Sequence, residues 1–446
     1  MLSVLANRIY RHLLFAQIIA LVGTGLATVA LGLLAYDLAG GNAGAVLGTA
    51  LAIKMIAYIG VAPVVGAYAN RLPRRAFLVA MDLVRAAVAL MLPFVEQIWQ
   101  IYLLIFVLQS ASAAFTPTFQ ATIPDVLPDE ADYTRALSLS RLAYDMESLL
   151  SPILAAAALS VISFHWLFAG TGIGFLASAL FVVSVSLPRS PAVERTGGIY
   201  TRTTRGLRIY LKTPRLKGLL ALTLAAAAAS AMVIVNTIVI VRDQLGLGQS
   251  AVALTLASYG GGSMLAALLL PRLLDRASDR TVMIVAACAL TAGLAIMAAL
   301  TAALQQSPVF WQIVLAGWFA LGVAYSASVT PSGRLLRRSA NADDRPAVFA
   351  AQFALSHGCW LIAYPLAGQI GAGYGQAAAF ASLAILAGLG VIAALIVWPA
   401  AEPGAVPHRH DDLPPDHPHL QQAHGGAPAG AHDFVIDDLH AEWPRG

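Results

Sequence analysis

The side chains best suited to binding a metal ion are gathered at the C-terminal end of the chain. His408, His410, His417, His419, His424, His432 and His440 make up seven of the ten histidines in the sequence, and Asp411, Asp412, Asp416, Asp433, Asp437 and Asp438 are interleaved with them. Neutral imidazole suits nickel, cobalt, zinc and copper, and neighbouring carboxylates add charge that attracts divalent cations. With an unperturbed pKa of about 6.5, imidazoles are mostly neutral in a cytoplasm near neutrality and free to bind metal. Residues 400–446 are rich in Pro, Gly, Ala, His and Asp, which predicts a disordered tail that captures or buffers ions rather than translocating them. A short apolar stretch, FVIDDLH (434–440), is the part expected to dock on the cytoplasmic face. The alternative is a solvated tail with incidental metal affinity.

A second group of reactive side chains sits inside long apolar runs. An ionisable group in mid-membrane costs about 2.5–3.5 kcal/mol, so each one asks for a reason. Lys54 stands beside Met55 with Tyr58 one turn on; Asp145 and Glu147 lie in one run, and His357 and Cys359 in another. Asp145 and Glu147, two apart, point about 200° apart on a helix, so one of them at most faces a cavity squarely. Arg141, one turn before Asp145, is placed to pair with it. Imidazole, thiolate and carboxylate together suit a transient site for a divalent ion. Lys54, Asp145, Glu147, His357 and Cys359 are therefore the candidates for substrate binding and proton coupling. Their structural alternatives are a buried ion pair for Lys54, a latch for Asp145, and a backbone-satisfied histidine and a packed thiol for His357 and Cys359. Asp82 and Arg85, three apart, are expected to pair with each other or with the preceding loop, in a structural role.

These residues need a membrane-spanning frame. The chain of 446 residues is 59% hydrophobic and 11% charged, with a mean hydropathy of +0.74, whereas a soluble domain carries about 25% charged residues. Runs of about 20 apolar residues cross the hydrocarbon core. Twelve are found, near 11–36, 44–69, 76–95, 98–122, 136–160, 163–187, 214–241, 250–274, 281–304, 309–333, 346–370 and 374–398. The first lacks a small-residue cleavage site and is expected to be retained. Two cysteines exclude a disulfide framework, and no GxxxxGK[ST] motif occurs to bind ATP phosphates. The class expected is an all-α membrane protein, without enzymatic activity and without a cofactor.

Charge by position sets the orientation. Arg71, Arg74 and Arg75 follow span 2; Arg189 to Lys217 crowd the link between spans 6 and 7; Arg272, Arg276 and Arg280 follow span 8; Arg334, Arg337, Arg338 and Arg345 lie between spans 10 and 11. The alternate loops are nearly bare, Arg242 excepted. The positive-inside rule then places both termini and the central link in the cytoplasm. The basic residues are topology signals and call for no nucleic-acid partner.

The two halves repeat each other. GAYANRLPRR (66–75) after span 2 matches PRLLDRASDR (271–280) after span 8, pairing Asn70 with Asp275, Arg71 with Arg276 and Arg75 with Arg280. Span 5 and span 11 superpose Pro152 on Pro365 and Tyr144 on His357. Weak internal symmetry marks secondary transporters, whose sites lie near the midplane between repeats. The resulting division is 1–187 for an N-terminal six-helix bundle, 188–213 for a cytoplasmic linker, 214–399 for a C-terminal six-helix bundle and 400–446 for the tail.

On these residues the chain resembles the major facilitator superfamily. Gly66, Arg71, Arg74 and Arg75 match the family's G-x-x-x-D-R-x-G-R-R loop, while Asn70 replaces its acid and Pro73 its glycine. The resemblance implies a gating loop of Gly66, Arg71, Arg74 and Arg75, with Asp275 and Arg276 as counterparts in the second half. It also implies that spans 2 and 11 meet across a central cavity. AIKMIAYIGVAPVVG (52–66), SRLAYDMESLLSP (140–152), LSHGCWLIAYPLAG (355–368) and the histidine-rich tail further resemble bacterial nickel-resistance efflux permeases. The function expected is proton-coupled export of a divalent transition metal, nickel or cobalt, by a monomer in the bacterial inner membrane. The partners are the metal cation, protons and the lipid bilayer. The alternatives are an exporter of drugs, siderophores or other amphipathic organic compounds, and a metal sensor that no longer transports.

Overall fold

The structure, a computed structural model, describes residues 2–68, 73–188, 199–341, 344–400, 406–409, 429–432, 434–437, 439–440 and 442–443. It is helical almost throughout. The helices are α1 (Arg8–Ala39), α2 (Ala43–Tyr68), α3 (Arg74–Met91), α4 (Ile98–Val126), α5 (Glu130–Leu159), α6 (His165–Val183) and α7 (Ile199–Lys212). They continue with α8 (Pro214–Ile238), α9 (Gln249–Leu274), α10 (Asp279–Leu304), α11 (Phe310–Val329), α12 (Ser332–Arg338), α13 (Arg345–Tyr374) and α14 (Gln376–Val397). All but α7 and α12 coincide with the twelve expected spans. Lipid offers no partners to backbone amides, so continuous helices are the economical way across. Several ends are fixed by local chemistry. Asn7 accepts from the amides of Ile9 and Tyr10 to start α1, Ser278 accepts from Thr281 to start α10, and Pro214 opens α8, where its missing N–H costs nothing. Gly375, at φ +87°, turns α13 into α14, a conformation that favours glycine.

The packing repeats with the sequence. In the first half α1 lies against α5 and α6, α2 against α4, and α3 against α4 and α6. In the second, α8 lies against α13 and α14, α9 against α11, and α10 against α11 and α14. The halves meet through α2 with α13 and α5 with α9, two contacts related by the same repeat. Spans 2 and 11 therefore do meet. Small residues bring these helices close. A methyl on Gly368 would lie 2.2 Å from the carbonyl oxygen of Gly44, and one on Gly48 would lie 2.5 Å from that of Tyr364. This seam lies at the end of the bundle opposite the chain termini. Asn236 of α8 braces it, its Nδ2 donating to the carbonyl of Ala367 at 2.9 Å.

At the terminal end, the part of the expected linker that is described folds as the amphipathic helix α7, which packs on α13. The Arg205 Nε donates to Asp344 at 2.5 Å, and Tyr210 donates to Gln352. The tail differs from the expectation of disorder wherever it is described. β1 (Val406–Arg409) and β2 (Ala429–His432) pair antiparallel, with Val406 opposite His432 and His408 opposite Gly430. Phe434 and Ile436 are buried in the same core as α8 and α14. Their apolar side chains outweigh the polar composition around them: burying one is worth about 1.5–3 kcal/mol.

Candidate transport site

The centre of the molecule assembles on the α2–α13 contact. Lys54 and Tyr58 are one turn apart on α2, and Phe353 and His357 one turn apart on α13. The Lys54 ammonium lies 5.9 Å from the centroid of the Tyr58 ring. That ring stacks on His357 at 5.3 Å and 7°, and Phe353 closes the cluster 4.1 Å from the imidazole. The Nδ1 of His357 is 2.6 Å from the carbonyl oxygen of Phe353. A carbonyl accepts and cannot donate, so Nδ1 carries a proton, and in the neutral ring the lone pair is then on Nε2. Metal-bound histidines have this arrangement, with the remote nitrogen anchored to an acceptor.

Glu147 reaches the same region from α5. It interacts electrostatically with Lys54, and Lys54 in turn interacts with His357. Three of the five expected coupling residues, Lys54, Glu147 and His357, thus share one electrostatic neighbourhood built from three helices. Cys359 does not join them. It lies about 200° around α13 from His357, buried, with its Sγ 3.9 Å from the carbonyl of Leu220 on α8. The side chains of Arg141, Tyr144, Asp145 and Pro152 lie outside the described residues. Glu147 packs against α1 beside Ser151: a methyl on Gly25 would lie 2.1 Å from the Ser151 Oγ and 2.7 Å from the Glu147 Oε1.

Asp82 and Arg85 pair as expected and lie away from this centre. Ser178 of α6 donates to Asp82 at 2.8 Å. The Arg85 guanidinium is sandwiched between Phe115 and Phe175, at 4.2 and 4.5 Å from the ring centroids.

The loop residues divide. Gly66 lies in the last turns of α2, and Arg71 lies outside the described residues. Arg74, buried at the start of α3, pairs with Asp125 at the end of α4. Arg75 donates to the carbonyl of Val183 at the end of α6. In the second half Asp275 and Arg276 are exposed beyond the end of α9. The buried acid there is Asp279, 3.5 Å from Arg334. These two pairs occupy corresponding places with the charges exchanged: Arg74 and Asp279 each open the third helix of a half.

Of the tail histidines, His410, His417, His419 and His424 lie outside the described residues, as do the side chains of His408 and His432. His440 is buried, bonded through Nδ1 to Asp437 at 2.8 Å and set edge-on to Phe434. Burial alone would raise the Asp437 carboxyl, but hydrogen bonds from the His440 ring and amide hold it down at about 2. Asn341 donates to Asp437 at 3.1 Å, Lys212 lies 3.6 Å from Glu442, and Arg215 lies over Trp443 at 5.5 Å. The segment from Phe434 to Trp443 is thereby tied to α7, α8 and the turn before α13. Among the described residues no three His, Cys, Asp or Glu side chains cluster to hold a metal ion.

Comparison with known proteins places this architecture. The Major Facilitator Superfamily model matches residues 13–303 and 219–429. The chain belongs to that superfamily. An uncharacterised transporter of this type, YvqJ of Bacillus subtilis (strain 168), is 24% identical over 400 residues, covering 86% of this chain and 90% of its own. Two shorter matches are YfiS of the same organism, 26% identical over 30% of this chain, and Macrolide efflux protein A of Enterococcus faecalis, 24% identical over 32%. This chain covers 31% of the length of YfiS and 47% of that of the macrolide protein. Among solved structures, the nucleoside transporter NupG superposes with a TM-score of 0.65 at 15% identity, covering 87% of this chain and 98% of its own. The D-xylose-proton symporter superposes with 0.63 at 16%, covering 89% and 97%. The superfamily protein is thus a multi-pass membrane protein and a secondary transporter.

Glu147 is the ionisable residue of α5 that interacts electrostatically with Lys54. Gly25 and Ser151 were not among the sequence candidates. The one available signal was Ser151, four residues after Glu147 and so on the same face of α5; nothing in the sequence tied Gly25 to them.

Proposed function

We propose that this protein exports a divalent transition metal, nickel or cobalt, from the cytoplasm in exchange for protons. The observation that carries the cargo is the His357 imidazole, anchored through Nδ1 with Nε2 left as a ligand, in the neighbourhood of Glu147. Glu147 supplies the exchange: as a carboxylate it balances the metal, and as a carboxylic acid it releases it. Lys54 is a fixed positive charge that competes for Glu147 when the metal leaves. The arginine-rich loops support termini in the cytoplasm of a bacterial inner membrane. The tail histidines support a capture role at that side, and the protein works as a monomer.

Energetics favour proton exchange as the drive. Moving one charge against 100 mV costs about 2.3 kcal/mol, so expelling a dication costs roughly twice that. Two incoming protons cancel the electrical term and leave the pH gradient. The test is nickel uptake by inverted vesicles, which a protonophore and His357→Ala should each abolish or sharply reduce. Uptake indifferent to both rejects the reading.

A second reading, export of an amphipathic organic compound, is favoured by the stacked Tyr58, His357 and Phe353 rings and by the likeness to a macrolide efflux protein. Growth panels comparing nickel, cobalt and zinc salts with dyes and antibiotics separate the two.

A further inference from the structure

Asn236 is fully buried near the end of α8, where that helix meets both α13 and α2. Its Nδ2 donates to the carbonyl of Ala367 on α13 at 2.9 Å and lies 3.3 Å from the sulfur of Met232. Its Oδ1 has no hydrogen-bond partner. That oxygen is wedged between two glycines from different halves of the molecule. A methyl on Gly44, in the first turn of α2, would lie 2.6 Å from it, and one on Gly371 of α13 would lie 2.8 Å from it. Gln376, which opens α14, borders the same place: its Nε2 would lie 3.2 Å from the Gly371 methyl. Gln376 is buried as well, and its Oε1 is also unpaired. Two amide oxygens are thus sealed without donors at one end of the bundle.

A sealed acceptor loses its bonds to water without a replacement, which disfavours the state that seals it. The bond to Ala367 joins two helices of the same half, so it aims the oxygen at α2 without linking the halves. Ala367 is ten residues beyond His357 on α13, about 15 Å along the helix axis, so Asn236 stands apart from the Lys54–His357 cluster.

We propose that Asn236 sets the balance between the two access states, because closing the α2–α13 seam strands its side-chain oxygen and opening the seam lets water reach it. The residue therefore favours opening at the end opposite the chain termini. It is a positioning residue for transport, and the inference holds whatever the cargo is. Gly44 is the other part of the device: a side chain there would keep α2 from closing over the oxygen.

The test is the labelling rate of Thr49→Cys, which lies on α2 across the seam from Gln369. The full chain is held in liposomes, in a background lacking Cys288 and Cys359, and an impermeant maleimide is added from the side opposite the termini. Asn236→Val is apolar and too short to press on Gly44. It removes the stranded oxygen and should slow labelling about fivefold or more. Asn236→Asp keeps an oxygen and replaces the donor with a second acceptor, so it should speed labelling. If Asn236 only ties α8 to α13, both substitutions lose that tie and shift labelling the same way. Asn236→Ala serves if the valine variant fails to fold, and should also slow labelling. Labelling of the folded apolar variant at the parent rate or faster overturns the proposal.

Discussion

Adding one methyl group at the α2–α13 seam should shift the balance between access states. In Gly368→Ala the new Cβ would lie 2.2 Å from the Gly44 carbonyl oxygen and 3.1 Å from the Ala45 Cα. Comfortable contact begins near about 3.5 Å, and the atoms met are backbone, so the helices must part by about 1 Å. Overpacking of this kind costs about 1–3 kcal/mol, and the cost falls on the state in which this end is closed. Such a difference moves a two-state balance by about 5–150-fold. The reporter is Thr49→Cys, whose native hydroxyl lies 3.5 Å from Gln369 across the seam, in a background lacking Cys288 and Cys359. An impermeant thiol reagent added from the far side should label it faster in the Gly368→Ala protein. Gly60→Ala, where no atom lies within 4 Å, should leave labelling unchanged. Equal labelling of a folded Gly368→Ala protein and its parent would show that the seam does not gate access.

Further outcomes follow from other parts of the molecule. Asp82→Ala leaves Arg85 buried without its partner, which should cost about 3–5 kcal/mol and lower the melting temperature in detergent, with no selective effect on cargo affinity. The Asp437 carboxyl lies below its ordinary value, so the docked tail gains stability that is present above about pH 4 and lost as pH falls towards about 2, roughly 2 kcal/mol in all. Hydrogen exchange across 434–443 should rise through that window, and Asp437→Asn should remove the dependence. Deleting 400–446 should weaken nickel tolerance without abolishing transport; complete loss in a folded protein contradicts a capture role.

The twelve spans were legible because apolar runs of membrane-crossing length leave few other fates, and the resemblance to the superfamily named spans 2 and 11 as helices that meet. α7 was read as a link because a short amphipathic helix resembles a polar loop until something covers its apolar face, here α13. The tail was read as disordered from its composition, although FVIDDLH already carried the two apolar side chains that anchor it. Helical periodicity alone separates His357 from Cys359, two residues apart, but it does not say which of them faces α2. The pairs Arg74–Asp125 and Asp279–Arg334 escaped because each joins helix ends about 50 residues apart, beyond any local pattern. Gly25 escaped for a similar reason: its role is to be absent from a space two other residues fill.

The most direct measurement is nickel flux into liposomes holding purified protein under an imposed pH gradient, with Glu147→Gln as the comparison. The account predicts that flux follows the gradient, falls to background with a protonophore, and is lost in the variant while nickel still exchanges across the membrane at equal concentrations. Gradient-driven flux of normal rate through Glu147→Gln would contradict it.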